Sequence, residues 1–370
     1  DQMGKIRLGV FFGGRSGEHE VSLLSARSVV NALDADRYDV VEIGITKNGE
    51  WLAGPEALIA FEVDDPAALI PVVMVPQPGN FVLYRRSEGQ VFEPYIELDM
   101  AFPVLHGTFG EDGTLQGMFE LAEIPYVGAG VLASAVAMDK GLFKHVMRAN
   151  GLPVLDWIVI TDVELEQGID QALEKAEAIG AYPLFTKPAN MGSSVGVTRC
   201  DSRSDLIEGV QDALQYDRRV VIEQGINARE IEISVLGNEE PDASVAGEIV
   251  PSDVFYSYKA KYVDDASELI IPAEIDEQTA QAVSQIAIRA YQLIDCAGMA
   301  RVDFLLERGT GRLYLNEINT IPGFTKISMY PKLWEASGTP YPALLDRLVD
   351  LGMRRHKQRV HLLRSYGEAL

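Results

Sequence analysis

Arg301-Val302-Asp303, the turn Glu307-Arg308-Gly309-Thr310-Gly311, and Asn316-Glu317-Ile318-Asn319-Thr320-Ile321-Pro322-Gly323-Phe324-Thr325 form the stretch on which the fold turns. Residues two apart on a strand face the same way, so Arg301 and Asp303 share a face, as do Glu317 and Asn319. The surrounding Met299, Val302, Phe304, Leu313, Leu315 and Ile318 predict two buried strands, 299–306 and 312–318, joined as a hairpin. If they pair, two carboxylates and an amide oxygen converge. Charges on buried strands need partners or a cation. Hard oxygen donors suit Mg2+, which takes few carboxylates and completes its shell with phosphates and water. Pro322-Gly323 then turns the chain, where the Gly323 N–H could meet a developing oxyanion. The same residues also read as a solvated polar face.

Upstream, Lys187-Pro188-Ala189-Asn190-Met191-Gly192-Ser193-Ser194-Val195-Gly196 predicts a strand delivering a lysine into a loop of small residues. Backbone N–H groups of such a loop can surround phosphate oxygens. The lysine precedes the glycines, unlike a Walker A loop, and taken alone the segment reads slightly better as a glycine-rich hairpin with a surface lysine. Tyr-Ser-Tyr-Lys-Ala-Lys-Tyr at 256–262 lies in a long polar stretch that suits a lid. Toward the start, strands are expected at 6–12, 39–45 and 100–105 and helices at 20–33 and 114–122, giving an α/β domain with a mostly parallel sheet. Helices at 132–138, 140–150, 167–179, 276–295 and 344–353, and strands at 157–160, 182–186, 195–199, 219–224, 231–236 and 244–250, follow. Segment 47–98 carries the weakest pattern.

At 370 residues, two or three domains are expected. A net charge of −23 repels nucleic acid and anionic lipid, so neither is an expected partner. There is no apolar run of about 18 residues, and Asp1-Gln2-Met3-Gly4-Lys5 lacks a signal peptide's pattern. Cys200 and Cys296 have no metal-ligand spacing and read as reduced, partly buried thiols. A cytoplasmic protein is the expectation.

Together these blocks resemble the ATP-grasp superfamily and, within it, the D-alanine–D-alanine ligases. The resemblance covers essentially the whole chain. It also rests on Gly13-Gly14-Arg15-Ser16-Gly17-Glu18-His19-Glu20-Val21-Ser22, Leu105-His106-Gly107, Gly110-Glu111-Asp112-Gly113-Thr114-Leu115-Gln116-Gly117, Met138-Asp139-Lys140, and Ile327-Ser328-Met329-Tyr330-Pro331-Lys332-Leu333-Trp334. It implies an N-terminal parallel-sheet α/β domain (1–130) that binds the first D-alanine, and two α+β domains that clasp ATP. These are 131–226, with the phosphate-covering loop, and 227–370, with the metal site and a lid at about 252–268.

By the same resemblance, Lys140 and Lys187 hold the α- and β-phosphates, the loop with Ser194 and Val195 covers the transferred phosphate, and Lys261 reaches the γ-phosphate. Glu223, Gln224, Gly225 and Ile226 edge the adenine, and Glu230 binds ribose. Asp303, Glu317 and Asn319 ligate two Mg2+ ions, with Mn2+ as a substitute; a monovalent cation such as K+ is a further candidate. Glu18 holds the first ammonium, and Glu18, Ser193 and Tyr262 form a linked set. Arg301 and Gly323 stabilise the tetrahedral intermediate. Ser328 and Met329 hold the second carboxylate, and His106 lies near the first substrate. A homodimer is implied.

Thr186, Met191 and Lys326 depart from the family pattern without removing a named chemical group. Three rival readings remain. Ligases using D-lactate or D-serine are the nearest; those using D-lactate tend to carry His where Tyr262 stands. A non-catalytic nucleotide-binding regulator would not need Arg301, Asp303, Glu317 and Asn319 together. A dinucleotide-linked oxidoreductase would need Gly-x-Gly-x-x-Gly spacing, which Gly13-Gly14 lacks.

Overall fold

The computed structural model describes residues 4–86, 92–251, 268–325 and 327–363. The opening apolar run is strand β1 (Ile6–Gly13), buried along most of its length. It pairs in parallel with β2 (Tyr38–Ile45) and with β7 (Met100–Pro103), and helix α1 (His19–Ala32) connects β1 to β2. Beyond β2 the sheet runs antiparallel through β3 (Trp51–Ala53), β4 (Ile70–Met74), β5 (Val82–Arg86) and β6 (Phe92–Glu97), with the short helix α2 (Ala57–Glu62) after β3. The parallel character is therefore confined to β2-β1-β7, and the poorly patterned 47–98 supplies an antiparallel extension. Its outer strand β6 has no fully buried residue, so it offers little alternation to read.

Three helices follow: α3 (Thr114–Ala122), α4 (Val131–Met138) and α5 (Lys140–Ala149). Strands β8 (Trp157–Thr161), β9 (Leu184–Pro188), β10 (Thr198–Cys200) and β11 (Arg219–Gln224) form an antiparallel sheet in the order β10-β9-β11-β8. The single helix expected at 167–179 is two, α6 (Asp162–Gln167) and α7 (Ile169–Glu177), separated by Gly168; a Thr161–Glu164 capping box starts the first. Helix α8 (Arg203–Ala213) packs on β9 and β10 and was not expected. The strand expected at 195–199 begins only at Thr198. Ser193, Ser194 and Gly196 take φ of 51°, 60° and 69°, which no strand permits.

The third sheet contains β12 (Ala228–Gly237), β13 (Asp242–Val250), β14 (Glu268–Ile270), β15 (Gly298–Glu307) and β16 (Leu313–Asn319), antiparallel in the order β14-β13-β12-β15-β16. Asp276 caps helix α9 (Glu277–Leu293) by accepting the Thr279 N–H at 2.8 Å. The chain continues through α10 (Met329–Ala336) and α11 (Tyr341–Val360), the latter longer than the 344–353 expected. The expected lid joins β13 to β14, and 252–267 lie outside the described residues.

Two cores position the site. Ile231, Ile233, Val302, Phe304 and Ile318 of the third sheet pack against Val283, Ala287 and Ala290 of α9, and also against Phe143 and Met147 of α5. Leu8, Val10 and Phe12 of β1 share a second core with Phe324, Tyr330, Leu344 and Leu348. That core draws the Pro322-Gly323 loop to the C-terminal ends of β1 and β7, where open α/β sheets characteristically bind ligands. Cys200 and Cys296 are buried and unbridged, and burial pushes their thiols up to about 11 and about 12.

Candidate active site

With one face of β12, β15 and β16 sealed in the core, alternate residues emerge on the other. The register places Glu232 beside Asp303 and Asp303 beside Glu317; the next row is Ser234, Arg301 and Asn319. Arg301 donates to both oxygens of Asp303, Nε to Oδ1 at 2.8 Å and Nη2 to Oδ2 at 2.7 Å. Its Nε also lies 2.9 Å from Glu232 Oε2. Asn319 Nδ2 donates to Asp303 Oδ2 at 3.0 Å. The predicted hairpin thus gathers Arg301, Asp303, Glu317 and Asn319.

Asp303 and Glu317 are directly opposed like charges, an arrangement that destabilises a sheet unless a cation meets it. Among the described residues, no three His, Cys, Asp or Glu side chains are grouped to hold a metal alone. Two carboxylates and an amide fit a divalent cation whose remaining ligands come from phosphate and water.

Lys140 links this row to the glycine-rich loop. Asp139 caps α5, accepting the Leu142 N–H at 2.8 Å; its carboxylate also accepts from Arg219 and, at 3.2 Å, from Asn190 Nδ2. So fixed, Lys140 donates its N–H to Ala189 O at 3.0 Å and its ammonium to Met191 O at 2.6 Å. The ammonium stands 4.0 Å from Glu317 Oε2. Lys187, on β9, pairs with Glu223 on β11, whose other oxygen lies 3.0 Å from Lys144 Nζ. Burial pushes the Glu223 carboxyl up, but the two lysines outweigh it and hold the group down at about 2. Burial pulls Lys144 below the usual lysine range against the attraction of Glu223.

The loop reaches the first sheet through Ser193, whose hydroxyl donates to Glu18 at the start of α1. Glu18 is 6% exposed. A Cβ at Gly107 or at Gly192 would lie 2.8 Å from Glu18 Oε2, so the carboxylate packs closely against both glycines. Gly17 faces Val195 across the same junction. Gly107 N–H donates to Glu111 Oε2 at 2.6 Å. Desolvation, then the charge of Glu18, push the Glu111 carboxyl up to about 8.

His106 is buried. Its Nδ1 lies 2.9 Å from Ile321 O and its Nε2 2.9 Å from Ser25 Oγ. A carbonyl only accepts, so Nδ1 carries the proton and Nε2 accepts from Ser25; Ser25 in turn accepts the Phe324 N–H at 3.1 Å. Burial lowers the imidazole pKa and favours this neutral form. His106 therefore braces the Pro-Gly loop. At that loop, Ser328 Oγ accepts the Thr325 N–H at 3.0 Å and sits 2.8 Å from where a Cβ on Gly323 would lie. Met329 is buried beside it at the start of α10.

Gln224 and Gly225 donate their backbone N–H groups to Asp156 O and Pro183 O, both at 2.9 Å. Ile226 follows in the link to β12, which carries Glu230. Lys261 and Tyr262, and with them their phosphate and linking roles, lie outside the described residues, as does Lys326. Thr186 is fully buried on β9, beside Cys200.

Three residues of the site were not singled out from sequence: Lys144, Glu232 and Glu111. Lys144 had a signal, since it follows Lys140 by one helical turn on the same face. Glu232 alternates with apolar neighbours on β12, but its partner Arg301 is 69 residues away. Glu111 lay inside a quoted motif with no partner visible locally.

Two antiparallel sheets carrying a lysine pair, a glycine-serine loop and an acidic strand pair, set against an α/β domain, define an ATP-grasp enzyme. The chain belongs to the D-ala D-ala ligase family: the model of that family's N-terminus matches residues 7–129 and that of its C-terminus residues 146–350. A D-alanine–D-alanine ligase of Thermoanaerobacter sp. (strain X514) is 49% identical over 359 residues, covering 96% of this chain and 99% of that one. Among solved structures, the D-alanine–D-alanine ligase of Coxiella burnetii has a TM-score of 0.84 at 38% identity, with 99% of each chain covered. The VanG D-Ala:D-Ser ligase of Enterococcus faecalis has a TM-score of 0.83 at 35% identity, with 94% of this chain and 99% of that one covered.

Proposed function

We propose that this enzyme joins two D-alanine molecules into D-alanyl-D-alanine, converting ATP to ADP and phosphate, to supply a peptidoglycan precursor. A carboxylate does not condense with an amine directly, because its oxygen is a poor leaving group. The carboxylate of the first D-alanine attacks the γ-phosphorus, ADP departs, and an acyl phosphate results. The deprotonated amine of the second D-alanine then attacks the carbonyl, and phosphate leaves with the oxygen that was the carboxylate's.

Each step has a residue suited to it. Lys140 and Lys187 meet the α- and β-phosphates, and the loop with Ser194 and Val195 covers the phosphate being moved. Glu18 holds the first ammonium and, through Ser193, keeps that loop against the substrate. Arg301 and the Gly323 N–H face the oxyanion of the tetrahedral intermediate, where losing one donor typically costs about 10²–10³ in rate. Ser328 and the backbone at Met329 receive the second carboxylate; Glu223 to Ile226 and Glu230 take the nucleoside. Two Mg2+ ions, or Mn2+ in their place, held by Asp303, Glu317 and Asn319 with the phosphates, would supply the positive charge that lets one anion approach another.

The observation that carries this reading is the Ser193–Glu18 hydrogen bond. It joins a phosphate-covering loop to a buried carboxylate suited to an ammonium, so the two substrates fall within one pocket. A cytoplasmic homodimer is part of the same reading, on the strength of the family; no helix among the described residues is long and apolar enough to cross a membrane. ADP release with D-alanine, L-alanine, D-serine or D-lactate as substrate tests it. D-alanine alone should support full turnover and L-alanine none; faster turnover when D-serine or D-lactate is the acceptor would refute the substrate assignment.

A further inference from the structure

Lys140 and Lys144 leave the same face of α5 one turn apart, but they end in different places. The Lys140 side chain is 18% exposed and borders the acidic row, whereas that of Lys144 is 3% exposed. The Lys144 ammonium lies 3.0 Å from Glu223 Oε2 and 6.0 Å from the centre of the Trp157 ring. The other oxygen of Glu223 belongs to Lys187, whose side chain is 15% exposed. One buried carboxylate is therefore shared by two ammonium groups, an inner and an outer one.

This sharing has an electrostatic consequence. A carboxylate paired with Lys187 alone would cancel its charge, and a neutral pair attracts phosphate only weakly. With Lys144 behind the carboxylate, the three groups carry a net charge of +1 at the outer end, and in a site shielded from water that charge is poorly screened. We infer that Lys144 is a positioning residue for ATP: it neutralises Glu223 from the inside and leaves the positive charge of Lys187 available to the nucleotide's phosphates. This rests on the reading that Lys187 meets those phosphates. Lys144 itself touches no substrate.

The test compares nucleotide binding by calorimetry, using adenosine and ADP as probes. The adenosine Kd divided by the ADP Kd isolates the phosphates' share and cancels effects at the base. Lys144→Met, of similar length without charge, should lower this ratio roughly tenfold while adenosine binding stays within about threefold of wild type. Adding Glu223→Gln should restore the ratio, because removing the anion frees Lys187 again. An unchanged ratio in Lys144→Met, or a lowered one that Glu223→Gln fails to restore, overturns the inference. If Lys144→Met does not fold, Glu223→Gln alone decides: the ratio should rise, and an unchanged or lower ratio overturns the inference. Lys187→Met in parallel separates the two claims. No fall there removes the phosphate reading itself; a fall there with none in Lys144→Met removes the role of Lys144 alone.

Discussion

Asp303 and Glu317 face each other across β15 and β16, with Arg301 bonded to Asp303 and the Lys140 ammonium 4.0 Å from Glu317 Oε2. If Glu317 holds the cation as proposed, Glu317→Ala should reduce ADP release at least about a hundredfold. Its melting temperature should stay close to wild type, since relief of the like-charge pair offsets loss of the Lys140 contact; a fall of many degrees with retained turnover would mark Glu317 as structural. Glu111 gives a pH dependence. Its carboxyl is raised from 4.5 to about 8, so the folded state holds a proton that the unfolded state releases. The stability this lends is fully present below pH 4.5 and is lost as pH rises through 8. Glu111→Gln keeps an acceptor for the Gly107 N–H and cannot ionise. Its melting temperature should match wild type near pH 4.5 and exceed it increasingly toward pH 8.5; parallel curves would contradict this. The convergence of Arg301, Asp303, Glu317 and Asn319 was legible because strand alternation is a two-residue rule. Lys144 and Glu232 were not, because a buried ion pair is defined by a partner distant in sequence, and Glu111 was not, because its burial beside Glu18 is set by the packing of another segment.

Among the elements, α5 does most to assemble the lysine side of the site. Its cap, Asp139, also holds Arg219 and Asn190 and is 8% exposed. Asp139→Ala should lower stability by about 2 kcal/mol, combining a lost cap with an unpaired guanidinium, and should raise the KM for ATP; urea unfolding and initial rates measure the two effects. Capped helices such as α5 and α9 were readable because the cap and the apolar period agree. Strands β3 to β6 were not. They are short, only β4 alternates cleanly between buried and exposed residues, and sheet membership is settled by their neighbours. Helix α10 was hidden for a different reason: Met329-Tyr330-Pro331 reads as a break, although Pro in a first turn is compatible with a helix.

Across the whole molecule, α11 binds the end of the chain to its beginning. Arg355 donates to Glu120 Oε1 and to Tyr126 Oη, each at 2.8 Å, and Gly352 lies where a Cβ would meet Tyr126 O at 2.6 Å. Gly352→Ala should cost about 1–3 kcal/mol by overpacking against backbone. It should also weaken D-alanine binding, since the core that α11 shares carries the Pro322-Gly323 loop; unchanged stability in thermal melts would contradict this. An opening α/β segment with a parallel sheet could be read from the sequence, but this closure could not, because it joins segments more than 200 residues apart. The central claim is that lysines, acidic strands and Glu18 bring a D-alanine carboxylate to the γ-phosphate for direct transfer. The decisive measurement supplies D-alanine labelled with 18O in its carboxylate and follows the label by mass spectrometry. The phosphate released with each dipeptide should carry one 18O atom. Unlabelled phosphate would mean that water, not the carboxylate, takes the phosphoryl group, and the account of the site would fail.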